Sequence, residues 1–377
     1  MKYRRFGKTN LCLSVFSLGT MRCLASKQEF QETVNAGIDA GINHLETARG
    51  YGKSEEYLGE TLQAGLSLPR EKLYITTKLT PTPNPEVMFN QIEESLNRLQ
   101  LDYIDCLAIH GLNTWEHLAW ITDPRGCLEP IQRAISMGKI RHLGFSTHGS
   151  LELIIAAINT NLFEFVNLHY YYFFQRHQPV IDLAKRLDLG IFIISPADKG
   201  GRLYQPPTSL VNLCQPFSPL ELNYRFLLQD PGITTLSLGA ANSAELSLPL
   251  QVADRDDPLT GAEITVFKRL ENQMTQALAT DRCSQCYQCL PCPENVNIPE
   301  ILRLRNLAIA YNLTDFGKYR YAMLENAGHW FPGSKGNRCT SCGDCLPRCP
   351  EKLDIPNLLR DTHERLNGPS RRRLWDV

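Results

Sequence analysis

Eight cysteines of this chain stand in two short runs, Cys283-x-x-Cys286-x-x-Cys289-x-x-Cys292-Pro293 and Cys339-x-x-Cys342-x-x-Cys345-x-x-x-Cys349-Pro350. Thiolate sulfur is a soft donor that suits zinc and iron–sulfur clusters. Two-residue gaps let three thiolates of one tight loop reach three irons of a cubane, while the cysteine before proline points away. Structural zinc sites also use Cys-x-x-Cys pairs, but they usually draw two pairs separated by a longer span. Three successive two-residue gaps crowd four thiolates into the stretch from Cys283 to Cys292. The spacing therefore favours iron–sulfur over zinc.

The second run has the bacterial ferredoxin spacing, and the first departs from it by one residue before its last cysteine. In two-cluster ferredoxins the cysteine before proline serves the other cluster. Two 4Fe-4S clusters are thus expected, one on Cys283, Cys286, Cys289 and Cys349, the other on Cys339, Cys342, Cys345 and Cys292. The runs belong to an internal repeat. Cys292-Pro293-Glu294 leads to Ile298-Pro299 and Leu302-Arg303, as Cys349-Pro350-Glu351 leads to Ile355-Pro356 and Leu359-Arg360. Proline after each isoleucine suits the first turn of a helix, so each unit reads as a ligand loop followed by a helix.

A second set of groups closes strand-like runs earlier in the chain. Glu46 ends one run, with Tyr51 just beyond it in GINHLETARGYGKSEEYLG; Lys78 lies in LYITTKL, and His110 ends DYIDCLAIHG. Singly, each is an ordinary strand-end or loop residue. Together they supply what carbonyl reduction near neutral pH requires. A tyrosine, with an ordinary pKa of roughly 10, needs a nearby cation to act as proton donor and acceptor there. Lys78 is that cation, Glu46 fixes its ammonium, and His110 orients or polarises the carbonyl.

Groups so far apart in sequence need a scaffold that brings strand ends together. Eight apolar runs qualify: VFSLGTM, INHLETA, LYITTKL, YIDCLAIH, HLGFSTH, FEFVNLHYY, GIFIISPA and TTLSLGA. Amphipathic stretches such as PEVMFNQIEESLNRLQL lie between most of them, the pattern of parallel strands joined by helices. Eight units predict an α/β fold of the closed (β/α)8, or TIM-barrel, kind. The competing doubly wound sheet in its dinucleotide-binding form needs G-x-G-x-x-G after its first strand. The nearest match, GYGKSE, lacks the third glycine and follows the second strand. The segment MKYRRFGKTNLCLS reads as a hairpin turning at Gly-Lys-Thr-Asn and added to one end of the barrel.

The strand and helix residues GINHLETARGYGKSEEYLG, YITTKL and DYIDCLAIHG resemble the successive motifs of the aldo-keto reductases. The resemblance runs from FGKTNLCLSVFSLGTMR to about LSLGAANSAEL. It implies this barrel, with Tyr51 as acid/base, Lys78 as its partner and His110 as the substrate-orienting residue. Glu46 stands where the family has Asp, keeping the charge and adding a methylene. The resemblance also implies NADPH or NADH, bound extended across the barrel mouth without a Rossmann unit. Gly19 and Thr20 would lie beside the nicotinamide, Ser146 and Asn167 at the carboxamide, Ser195 and Lys199 of SPADKGG over the pyrophosphate, and Gly239 and Asn242 at the adenosine end. The family often places Arg or Lys past the eighth strand for the 2'-phosphate, whereas GAANSAELSLPL has none. The choice between NADP(H) and NAD(H) stays open. A barrel of this kind followed by a ferredoxin-type unit also resembles a branch of the family usually regarded as oxidoreductases.

The remaining sequence sets bounds. A chain of 377 residues predicts two domains and a tail: a barrel over 1–280, a small α-helical ferredoxin-like iron–sulfur domain over 281–365, and a mobile tail over 366–377. The 39 basic residues nearly balance the 40 acidic ones, which argues against nucleic acid or an anionic membrane as partner. No signal-like or membrane-length apolar stretch is evident, so a cytoplasmic location is expected. Cys12, Cys23, Cys106, Cys127 and Cys214 stand singly and read as small buried apolar residues. The expected partners are a small carbonyl substrate and an electron-transfer protein. An alternative reading makes the protein an electron-transfer or redox-sensing module whose barrel binds nucleotide or a partner without reducing carbonyls.

Overall fold

The computed structural model describes residues 1–370. The expected tail, 366–377, lies outside the described residues beyond Ser370. The chain packs as two compact units, one formed by Met1–Gly200 with Asn223–Pro258, the other by Gly201–Leu222 with the residues from Leu259 onward.

In the first unit β1 (Tyr3–Arg5) and β2 (Cys12–Ser14) pair antiparallel as a hairpin. Eight further strands follow: β3 (Phe16–Gly19), β4 (His44–Glu46), β5 (Tyr74–Leu79), β6 (Ile104–His110), β7 (Ile140–Ser146), β8 (Phe165–Leu168), β9 (Gly190–Ile193) and β10 (Thr235–Leu238). They close into a barrel in the order β10-β3-β4-β5-β6-β7-β8-β9, and every pair is parallel. This is the expected (β/α)8 barrel.

The connecting helices form for local reasons. Helix Pro85–Leu99 begins with Asn84 accepting from the N–H groups of Glu86 and Val87, has proline in its first turn, and ends at Gln100 in the left-handed region. Its buried Met88, Ile92, Leu96 and Leu99 recur at helical spacing and face inward. Helix Leu151–Asn159 is likewise capped, by the Ser150 hydroxyl.

The hairpin sends Phe6 into the strand core, where it packs with Leu13, Cys106, Ala108, Phe165 and Phe192. A Cβ on Gly190 would meet the Phe6 ring at 2.4 Å, so glycine there is what admits the ring. Of the five single cysteines, Cys23, Cys106, Cys127 and Cys214 are buried, but Cys12 is exposed. The period of a strand explains it: Cys12 points outward while Leu13, next along, points into the core.

In the second unit, helix Gly261–Leu278 starts at a Thr260–Glu263 capping box. The Tyr311 hydroxyl donates to the Leu270 carbonyl at 2.8 Å. Helices Ile298–Tyr311 and Ile355–Leu366 both carry proline in their first turn, as the repeat implied. Arg305 on one donates to Asp361 on the other at 2.8 Å. Among the described residues no helix is long and apolar enough to cross a membrane.

Candidate active site and cysteine cavities

The register of the barrel sets the polar groups at one end. Gly19 lies opposite Glu46, and Glu46 opposite Thr76. Two residues further along β5 comes Lys78, paired with Ala108, and two further along β6 comes His110, paired with Ser146, which in turn faces Asn167. Side chains alternate by two along a strand, so Glu46, Lys78 and His110 converge at the C-terminal mouth of the barrel.

Three groups surround the Lys78 ammonium. It forms an ion pair with Glu46, donates to the Thr47 carbonyl at 2.9 Å and reaches the Tyr51 hydroxyl at 3.4 Å. Lys78 is 1% exposed and Glu46 5%. The Tyr51 ring meets His110 edge-on, with centroids 5.6 Å apart. The structure thus brings Glu46, Tyr51, Lys78 and His110 into one cluster. Burial, and after it the positive charge of Lys199, hold the Lys78 ammonium well below its ordinary pKa, while contact with the Glu46 carboxylate opposes that shift. Burial raises the Tyr51 phenol above its ordinary value.

Gly19 leaves the space that the Glu46 carboxylate occupies. A Cβ there would lie 2.9 Å from Glu46 Oε2 and 2.7 Å from Ser237 Oγ. The Ser237 hydroxyl itself donates to Glu46 Oε2 at 3.4 Å. Glycine leaves room for the carboxylate and for the serine that steadies it.

The other expected contacts divide. Asn167 is fully buried, and neither its Oδ1 nor its Nδ2 has a hydrogen-bond partner. A buried amide left unsatisfied is costly, and its donor and acceptor match those of a carboxamide such as the nicotinamide carries. That orphaned amide is where the structure fits a nicotinamide cofactor. Ser146 accepts from the Gly111 N–H at 3.0 Å. Thr20 donates to the Glu46 carbonyl at 3.0 Å and pairs with Ser54 at 2.6 Å, tying β3 to the helix that follows Tyr51. Ser195 has a left-handed backbone and its carbonyl accepts from the Lys199 N–H. The Gly239 carbonyl accepts from Arg22 at 2.6 Å, and Asn242 caps the short helical turn Ser243–Leu246.

The sequence reading missed three groups at the mouth. His148 and His169 meet through their Nε2 atoms at 3.1 Å, and Lys199 Nζ lies 3.4 Å from His148 Nε2. His169 also bonds the Tyr171 hydroxyl, which donates to the Ile194 carbonyl at 2.5 Å. Both histidines follow strand ends, β7 and β8, so the rule that picked His110 would have found them. The third group is Arg22, which pairs with Glu245 at 2.8 Å and brings a basic side chain to the segment past β10 that carries none of its own. In the aromatic stretch HYYYFFQRH that follows β8, Tyr170 and Tyr171 are buried.

In the second unit the eight cysteines of the two runs form no disulfide with one another, and they sort into two cavities. Cys283, Cys286 and Cys289 line one together with Cys349, against Pro299, Leu302, Leu353 and Ile355. Cys339, Cys342 and Cys345 line the other together with Cys292, against Ile298, Pro356 and Leu359. Four soft thiols in a recess with apolar walls are a donor set that fits an iron–sulfur cluster.

Comparison with known proteins agrees with both halves of this description. The family model described as aldo/keto reductase family matches residues 15–271, and a 4Fe-4S dicluster domain model matches residues 282–353. An aldo-keto reductase of Alternaria alternata, AFTS1, is 27% identical over 252 residues, 54% of this chain and 67% of its own length. The 6-dehydroglucose reductase of Novosphingobium aromaticivorans is 32% identical over 174 residues, 42% of this chain. The chain thus spans about two thirds of the first relative and about half (54%) of the second. Among solved structures, the holo form of aldo-keto reductase AKR11C1 from Bacillus halodurans has a TM-score of 0.62 at 20% identity, covering 71% of this chain and 96% of that one. An aldo-keto reductase from Klebsiella pneumoniae in complex with NADPH has a TM-score of 0.57 at 21% identity, covering 71% of this chain and 94% of that one. These structural likenesses concern the barrel fold. With a family model spanning the greater part of its length, this chain belongs to the aldo/keto reductase family of NAD(P)H-dependent oxidoreductases, its barrel followed by a 4Fe-4S domain.

Proposed function

We propose that the protein reduces the carbonyl of a small aldehyde or ketone, using NADP(H) or NAD(H), with Tyr51 as the proton donor. One observation carries this reading: the Lys78 ammonium sits between the Glu46 carboxylate and the Tyr51 hydroxyl. As the Tyr51 proton passes to the carbonyl oxygen, negative charge develops on the phenol oxygen, 3.4 Å from a cation already fixed in place. His110, edge-on to the same ring, supplies the hydrogen bond that orients the carbonyl. When bound, the nicotinamide supplies the hydride. Asn167 and Ser146 would hold its carboxamide beside Gly19 and Thr20, with Ser195 and Lys199 toward the pyrophosphate and Gly239 and Asn242 toward the adenosine.

Residues 1–280 form the reductase part in this reading and 281–365 the cluster part, acting in the cytoplasm. Cys283, Cys286, Cys289 and Cys349 hold one 4Fe-4S cluster, and Cys339, Cys342, Cys345 and Cys292 a second. A hydride moves two electrons together, whereas a cluster ordinarily passes one. The clusters therefore serve as a separate electron port, facing an electron-transfer protein, rather than as a feed for the Tyr51 site. The test of the reductase reading is oxidation of NADPH or NADH by the anaerobically purified full chain, offered a panel of aldehydes and ketones and repeated with Tyr51→Phe. Turnover that survives unchanged in the variant overturns it.

A further inference from the structure

The two cysteine cavities can be compared within one chain, and they match closely. In each, the first cysteine of the run is half-buried, the second exposed, the third buried, and the cysteine from the other run half-buried. Each lining carries one net negative charge, Glu351 alone at the first cavity, and Glu294 and Asp344 offset by Arg348 at the second. Of the charges flanking the runs, Asp281 pairs with Arg305 at 3.4 Å, Arg282 with Glu271 at 2.6 Å, and Arg338 with Glu325 at 3.0 Å. Even the backbone agrees, since Gln285 and Ser341 hold equivalent places with φ of 62° and 59°.

The match fails at that last pair. Gln285 turns back so that its Nε2 donates to Cys283 Sγ at 3.2 Å, with its Oε1 buried. Its counterpart Ser341 is exposed and carries no amide. A thiolate ligand has lone pairs and no proton, so only the N–H side of the Gln285 amide suits it, whichever way the amide is drawn. An iron–sulfur centre gains negative charge on reduction without leaving its pocket. A donor dipole aimed at a ligand sulfur stabilises that added charge and raises the potential.

We propose that Gln285 makes the two clusters unequal: the centre in the Cys283 cavity has the higher reduction potential and takes the first electron. The inference rests on the two-cluster reading above. It names which of the two centres is the electron's resting place, which the matched ligand sets leave undecided.

The test is a redox titration of the anaerobically purified full chain, followed by electron paramagnetic resonance. Two distinct midpoint potentials are expected in the wild type. In Gln285→Met, similar in size but without the donor, the higher one should fall while the lower stays in place. In the reciprocal Ser341→Gln the lower one should rise, which carries the test should the first variant lose iron. Potentials that stay put in both variants, with about eight irons per chain retained, overturn the proposal while leaving the two-cluster reading intact. About four irons in the wild type would instead overturn the two-cluster reading, and the proposal with it.

Discussion

The Nζ of Lys78 lies 3.4 Å from the hydroxyl of Tyr51, and the same ammonium is ion-paired to Glu46. Burial alone would keep Tyr51 protonated and Lys78 neutral, each for the same reason, the cost of charge in a low dielectric. In contact, each supplies the counter-charge that the other needs during proton transfer.

Removing the Tyr51 hydroxyl should leave the barrel folded and cofactor binding near its wild-type level. Turnover should fall by about 10²–10⁴-fold, the usual worth of a positioned acid. Steady-state rates, with cofactor binding read by fluorescence, check this for Tyr51→Phe. A variant that loses cofactor affinity in proportion to its rate would mean that Tyr51 binds rather than donates.

Gly19→Ala places a methyl against Glu46 Oε2 and Ser237 Oγ, at 2.9 and 2.7 Å. Glu46 must then move and Lys78 with it, a displacement of the size that costs about 10²-fold in rate. Glu46→Asp in the same chain shortens the acid and should recover part of the loss. Rates of the two single variants and the double variant give the coupling; additive losses would separate Gly19 from Glu46.

His44 and His177 tie stability to pH. His44 is buried between Ser17 and Thr76, at 2.5 and 2.7 Å, and burial, aided by Lys78, pushes its pKa down to about 3. His177 donates to the His169 carbonyl, and burial pushes it down to about 4. An unfolded histidine titrates near 6.5. Both contributions are therefore complete above that pH and shrink as the pH falls toward 4, because the unfolded chain takes protons that the folded one refuses. At pH 5 each histidine should have lost about 2 kcal/mol. Urea unfolding of the wild type and His44→Gln between pH 7 and 5 measures it, and parallel pH slopes for the two proteins would refute the assignment to His44.

Cys349 belongs by sequence to the second run and by position to the first cavity. Cys349→Ser should damage the cluster of Cys283, Cys286 and Cys289 and spare the other, read as loss of about half the iron and of one of two resonance signals. Loss confined to the cluster of the second run would show that the ligand sets are not exchanged.

The strands were legible because a parallel barrel strand is an apolar run with a fixed punctuation, and the cysteine runs because ligand spacing is local. Glu46, Lys78 and His110 could be picked out by their place at strand ends, and Tyr51 by the loop that follows one of them. What the sequence hid depends on contacts across the barrel. The room that Gly19 makes for Glu46 needs the register of β3 against β4. Arg22 reaches Glu245 over a separation of 223 residues, so reading the segment past β10 by itself found no base. His148 and His169 were passed over although they follow the ends of β7 and β8, because nothing in either motif announces that the two rings meet. Cys12 shows the reverse error, a residue type trusted over the face of the strand that bears it.

The exchange of one cysteine between cavities also sets an order of manufacture. A nascent chain that has reached residue 300 holds four cysteines of the first run but no complete cavity, since Cys349 is still unmade. The cavity of the second run has its last cysteine at Cys345, and that of the first only with Cys349, four residues later. The two ligand sets are thus completed within four residues of each other, after all the barrel strands have been made. Iron restored only after translation has been stopped should accordingly fill both sites of chains whose barrels have already folded, read as about eight irons per chain.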